Sequence, residues 1–507
     1  MIKRHHALIF VLVMLAAVAI LTFTGVFTVN LLKLNGSQLT LSAIIFIGSM
    51  TVGLIWKAIL DYRQSDFEIT WSEFLIGGVI VALVFSAVGV NIGWKMAVNS
   101  TIRYNEYWNG WELKAIDQTT SCERDGLCNH EYSCDPYVVL VPYSCMCDSK
   151  GNCSTCVRPE TRYHSCPSVT EEHTYVVQTT LGDYTINNHV FSPNPVEWRS
   201  GSGIPSDVQR GPSQIWVEAK SRCDSGHPGP VTQRNSYDNY LLASDTTIFK
   251  QYSSQIDTYK AAGVLPDLRH DVRDYYQADK VYFVDFNPTD PVAWQKVHSY
   301  LNAAFGTELQ GDLHLVIVQG DYVSANPDAY AIALKAYWQS TQVWGKDTIS
   351  KNSVIVVLGT TDGQTVAWSR ATTGMPIGNE MMITTIQNHM AGTQLTPDAV
   401  LGSVNGQFYQ KVKSDNTTKL AVKGVGDTGS LRRILWGMDD PATKFARVSM
   451  TANDSGDNGT GFNYLMNQIR PDFGQQLTIV IVMLTLSCIV WLVDACFIGE
   501  RRNVGRW

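Results

Sequence analysis

The sequence predicts an α/β protein in which a multi-pass α-helical membrane anchor carries an extracytoplasmic α/β sandwich and a disulfide-rich subdomain. Three observations predict it. Apolar residues gather in four long runs, at 7–32, 39–60, 74–98 and 477–497. Eight of the eleven cysteines crowd between Cys122 and Cys166. From Asp279 onward, apolar runs of strand length alternate with segments of helical spacing. A chain of 507 residues is long for one domain. The reading divides it into 1–98 (three spans), 99–173 (juxtamembrane and cysteine-rich), 174–278 (irregular, Pro/Gly-rich), 279–411 (α/β), 412–476 (extension), 477–498 (a fourth span) and 499–507 (tail).

Each apolar run matches the roughly 20 residues with which a helix crosses a hydrocarbon core of about 30 Å. A helix satisfies its own backbone polar groups, which is what lipid demands. A buried core helix is the competing reading of these runs, and a cleaved signal peptide is a second one for the first run. Lys3 and Arg4 precede the first run, Lys57 and Arg63 separate the second from the third, and Arg501, Arg502 and Arg506 follow the fourth. Basic flanks mark the cytoplasmic side. Both termini are therefore expected in the cytoplasm and residues 99–476 outside, in a plasma-membrane protein. Trp56, Trp71 and Trp94 fall near span ends, where interfacial anchors belong. Asp494 is expected to pair with Arg501 or Arg502.

Cys122, Cys128, Cys134, Cys145, Cys147, Cys153, Cys156 and Cys166, with Cys223 further on, are disulfide candidates on the oxidising side of a membrane. Eight cysteines allow about 105 connectivities, so no pairing is assigned. Zinc is the alternative, because Cys145-x-Cys147 and Cys153-x-x-Cys156, with His164 and His173 downstream, have ligand-like spacing. A redox pair at Cys153 and Cys156 is a third reading. Cys488 and Cys496 lie in the last span as apolar residues.

Tyr104, Tyr107, Trp108 and Trp111 follow the third span and suit either the headgroup level or the underside of a folded domain. Residues 174–184 alternate as a strand does. Residues 192–236, rich in Pro, Gly, Ser and Arg, read as a long loop or interface arm. Next come strands at 281–286, 312–318 and 353–358 and helices at 291–305 and 328–343. A Thr361-Asp362-Gly363 turn leads into an antiparallel strand at 365–369, then helices at 380–390 and 396–410. That order specifies a mixed sheet covered by helices.

This stretch resembles the TPM domain family. The resemblance rests on four features in order: the strand ending Val316-Ile317-Val318, the helix ending Trp344-Gly345-Lys346, the run Lys351-Asn352-Ser353 into apolar residues to Leu358, and Arg370 to Thr373 with Gly374. It covers about residues 279–411, and the leading spans and cysteine region stand outside it. The family includes thylakoid-lumen proteins of photosystem II repair, a nematode acetylcholine-receptor modulator and bacterial membrane-anchored proteins. Some members are described as weak acid phosphatases, and others as metal-binding proteins or assembly factors. The resemblance therefore implies a non-enzymatic binding or assembly module with a protein partner or in a homo-oligomer, or else a phosphate-ester hydrolase.

A hydrolase would draw on Asp285, Asp362 and Arg370 for catalysis and on Asp285, Asp321 and Asp362 to hold a divalent cation. Each has a structural reading too. Asp362 suits a hairpin cap, Asp321 a strand-end turn, and Lys351 and Arg370 solvated positions; Asp285 within an apolar strand would need a partner. His298 and His314 read as packed or surface residues. Gly374 to Gly378 precedes a helix but lacks the Lys-Ser or Lys-Thr of a phosphate loop. A transporter is disfavoured, because the spans hold few polar residues and no inverted repeat. A net charge of −7 without a basic stripe excludes a nucleic-acid footprint, so lipid and protein are the expected partners. Sequons stand at Asn99, Asn152, Asn416, Asn453 and Asn458.

Overall fold

The computed structural model describes residues 36–62, 71–120, 129–147, 153–193, 212–244, 253–269, 279–403, 409–414, 417–422, 428–451 and 461–503. The run at 7–32, Cys122, Cys128 and the sequons at Asn152, Asn416, Asn453 and Asn458 lie outside these residues. The chain forms two compact units: Met1–Tyr104 with Tyr237–Lys250 and Ser449–Trp507, and Asn105–Ser236 with Gln251–Val448.

Among the described residues of the first unit, three helices are each long and apolar enough to cross a membrane: Ser37–Leu60, Phe74–Ile102 and Phe473–Val493. Large apolar residues point outward on all three, with Leu39, Ile47, Met96 and Ile481 each more than half exposed. The second of these helices starts at Trp71 and passes through a π-helical stretch, Val84–Gly89, before resuming. That stretch leaves the Ser86 carbonyl to accept a hydrogen bond from Ser42 Oγ at 2.8 Å. The helices meet through small residues, as apolar solvent requires. A Cβ on Gly53 would stand 2.6 Å from the Trp491 ring, and Ser49 Oγ lies 2.6 Å from Ser487 Oγ. The helix expected at 74–98 thus runs on to Ile102, and the one expected at 477–497 spans Phe473–Asn503.

The second unit begins with an antiparallel sheet. Its strands are β1 (Arg103–Thr120), β2 (Asn129–Cys147), β3 (Cys153–Thr179) and β4 (Gly182–Pro193), followed by helix α1 (Gln214–Asp224) and strand β5 (Pro230–Asp238). The order is β2-β3-β1-β5, with β4 also on β3. The juxtamembrane aromatics therefore belong to a strand, where Trp111 is buried and stacks on Tyr300 with ring centroids 4.4 Å apart. Residues 192–236 are not one loop, since they contain α1 and most of β5. Trp216 of α1 donates its indole N–H to the carbonyls of Ile116 and Val176 and so seats that helix on the sheet.

The α/β part follows helix α2 (Ser253–Ala261). It comprises β6 (Val281–Val284), α3 (Pro291–Leu309), β7 (Asp312–Gln319), α4 (Pro327–Trp338), β8 (Ser353–Thr360), β9 (Trp368–Thr373) and α5 (Glu380–His389). Strands β6, β7 and β8 are parallel and β9 is antiparallel to β8. Both helices that follow parallel strands start in the same way. Asp290 and Asn326 accept the Ala293 and Ala329 amides, and a proline occupies the first turn. One sheet face buries Leu315, Ile317 and Val356 under Leu301, Phe305 and Ile386. The other buries Val316, Val318 and Val357 under Tyr330, Leu334 and Trp338. Burial on both faces is why β7 and β8 read as unbroken apolar runs.

Three expected boundaries move. The helix read at 328–343 ends at Trp338, and Thr341–Trp344 forms a separate turn. The strand read at 365–369 starts at Trp368, because the Gln364 and Thr365 amides are taken by Asp362 and the Val366 amide by the Thr393 carbonyl. Within 396–410 the described residues are helical at Pro397–Val400, after which Gly402 takes φ +112°, and extended from Tyr409. Strands β10 (Tyr409–Ser414) and β11 (Thr417–Val422) then pair as a hairpin, and α6 (Ser430–Leu435) buries Leu431 in the core.

Candidate functional site

The parallel register brings β6, β7 and β8 to a common edge, with Val284 beside Val318 and Gln319 beside Thr360. Asp285, Asp321 and Asp362 follow those strand ends. Asp285 is not buried within its strand; it is exposed just beyond it, in the left-handed region at φ +51°. Its Oδ2 lies 3.8 Å from the space a Cβ on Gly320 would take. Asp321 opens the short helix Asp321–Ser324 and is exposed. Asp362 caps its turn, accepting the Gln364 and Thr365 amides at 2.8 Å each and the Thr365 hydroxyl at 2.8 Å. Those hydrogen bonds, the Thr365 amide foremost, hold its carboxyl well below the usual range. The three carboxylates share an edge, yet among the described residues no three His, Cys, Asp or Glu side chains converge to hold a metal ion.

Arg370 stands apart from this edge group. It lies on β9, and its Nε and Nη2 donate to Asp328 at 2.5 and 3.1 Å, clamping β9 to the first turn of α4. The guanidinium hydrogen bonds lower the Asp328 carboxyl. Lys351 is buried rather than solvated. In the Gly374–Gly378 loop, the Gly378 amide donates to the chain's own Glu380 at 2.8 Å.

The most buried charges among the described residues lie at the opposite ends of the strands, and none of them was among the expected site residues. Lys280 Nζ donates to Asp312 Oδ1 at 2.6 Å, with both side chains 1% exposed. Asn109 and Asn302 donate to the same oxygen at 2.8 and 3.3 Å. His314 Nε2 donates to Asp312 Oδ2 at 3.1 Å, so Nδ1 is the acceptor for the Tyr282 hydroxyl at 3.2 Å. Thr232 on β5 completes the set by donating to Asn109 at 2.9 Å. Burial would raise the Asp312 carboxyl, but Lys280 and His314 override it and hold it well below the usual range. His298 donates to the Leu313 carbonyl at 3.0 Å, and burial lowers it to about 3. Both histidines are packed residues, as read from the sequence. One signal pointed to this network: Asp312 and His314 are the polar i, i+2 pair in an otherwise apolar strand. Asn109 and Thr232 come from strands far away in sequence.

The cysteine region supplies a different surface. Cys145 and Cys156 lie at disulfide distance, with Cα atoms 5.7 Å apart. Cys134, Cys147, Cys153 and Cys166 lie on the same two strands. Cys223, on α1, is a free thiol rather than a disulfide partner, and burial pushes it up to about 11. Among the described residues between 136 and 163, β2 and β3 pair only with each other. Paired residues share a face. Pro136, Val138, Leu140 and Pro142 therefore lie with Tyr163, Thr161, Pro159 and Val157 on one face, which carries no charge. Val138, Leu140, Val157 and Tyr163 are all at least half exposed. Arg158, Glu160 and Arg162 all point to the other face, where Arg162 Nε meets Glu160 Oε1 at 3.1 Å.

The chain matches no family profile, no characterised protein and no solved structure.

Proposed function

We propose that this is a membrane-anchored binding or assembly module whose TPM-like unit, with its stapled ribbon, stands on the non-cytoplasmic side of the membrane. One observation carries the reading: an exposed, uncharged, apolar face on a two-stranded ribbon. A two-stranded ribbon is marginal alone, and contiguous exposed apolar surface marks interaction sites. The strand and helix order of β6 to α5 supports the TPM-like placement. The three apolar helices and the basic residues beside them support anchoring with the thiol-rich region outside.

The test is the size of the species captured by chemical crosslinking in native membranes before extraction. The full chain is expected to migrate above its monomer mass, and Val138→Glu/Val157→Glu is expected to return it to monomer. Unchanged migration of that variant would count against the ribbon as the binding surface.

The second reading, phosphate-ester hydrolysis, is favoured by one feature: Asp285 is exposed and left-handed at the edge where Asp321 and Asp362 also lie. There a carboxylate would orient water or a cation. Phosphatase activity lost in Asp285→Asn would support it, and activity surviving that change would remove it.

A further inference from the structure

We infer that the ribbon's uncharged face docks on the same face of a second copy of this chain, across a two-fold axis; this rests on the binding reading above. Prolines close the ribbon's edges. A proline cannot donate into a ladder, so a pair containing one sits where backbone N–H groups point outward. Pro136, Pro142 and Pro159 all belong to pairs of one parity: Pro136 with Tyr163, Pro142 with Val157, and Leu140 with Pro159. They remove outward donors from both edges, which is how sheets discourage a further strand. Association is left to a face.

Charge distinguishes the two faces. Arg158, Glu160 and Arg162 crowd one side, whereas the other presents Val138, Leu140, Val157 and Tyr163 with no charge. A surface without charge meets its own copy with no like-charge penalty, and an isologous contact needs only self-complementarity. Two such faces would pack as sheets do, about 10 Å apart.

The size of the face sets where such a contact forms. Eight residues at about 3.4 Å each, on two strands about 5 Å apart, give a face of roughly 300 Å². Two copies would bury about 600 Å², well under the ~1,200 Å² of a stable soluble complex. Such a contact is populated only when the partners are already concentrated and aligned. A second copy tethered in the same membrane meets that condition by construction. The dimer is therefore a property of the anchored chain and dissociates on extraction and dilution.

The experiment places p-benzoyl-phenylalanine at Leu140 of the full chain, in native membranes, with Val141 on the opposite face as control. Irradiation in the membrane is expected to give an adduct of twice the 56.3 kDa chain mass from position 140 and much less from 141, and irradiation carried out after dilution in detergent is expected to give little from either. Val138→Glu/Val157→Glu and Val138→Lys/Val157→Lys chains should each lose the adduct alone and regain it when co-expressed, which a merely misfolded variant would not do. An adduct of any other mass from position 140 would overturn self-association while leaving a binding module with a different partner. No adduct, or equal adducts from both positions, would overturn both readings.

Discussion

At the scale of single residues, the buried Lys280–Asp312 pair makes the sharpest prediction. Removing one partner strands the other charge in a dry site, so Lys280→Met is expected to destabilise the protein by about 3–5 kcal/mol. Lys280→Met/Asp312→Leu should cost much less, because no charge is left unpaired; urea denaturation of both in detergent checks this. Arg370→Ala should cost about 1 kcal/mol or less, since Asp328 is 68% exposed. A pH dependence follows from His298. Its folded value of about 3 lies below the ordinary 6.5, so the unfolded chain takes up the proton first. Stability is then whole above pH 6.5 and falls on acidification, by up to about 1.4 kcal/mol per pH unit. Asp312, held low, keeps its contribution until the pH drops below about 4. Thermal midpoints between pH 6.5 and 4.5 should therefore fall less steeply in His298→Gln than in the parent. Asp362 as a turn cap was legible from Asp-Gly chemistry, because the contacts are local. Asp285 was misplaced by one step, because a single left-handed residue at a strand end leaves no periodic trace.

At the scale of elements, legibility followed how local the determining forces are. Strands β6 to β8 and helices α3 to α5 were readable because each is apolar at its own period, and α3 and α4 also open on Asp-Pro and Asn-Pro. Strand β1 was hidden because its aromatics suited either lipid headgroups or protein, and only the arrival of Tyr300 and Asp312 decides between them. Helix α1 was hidden among glycines and prolines. The ribbon's staple was undecidable from spacing, since the same cysteines fit zinc. Packing in the anchor is specific enough to test: Gly53→Leu would drive a side chain into the Trp491 ring. It is expected to lower the thermal midpoint of the anchor by several degrees, with near-UV signals of the α/β unit unchanged.

At the scale of the whole molecule, the account joins three apolar helices to an α/β unit that bears a cysteine-stapled ribbon. The side of the membrane decides whether that staple forms, because a reducing cytosol would open it. Sidedness is read from charge alone, through Lys57, Arg501 and Arg502. The most direct measurement is labelling with a membrane-impermeant maleimide. Val292, at the start of α3, is 67% exposed. Val292→Cys should gain label over the parent chain on intact cells, and permeabilisation should add nothing. Label gained only after permeabilisation would put the α/β unit in the cytosol, and the account of a stapled, outward-facing binding module would be contradicted.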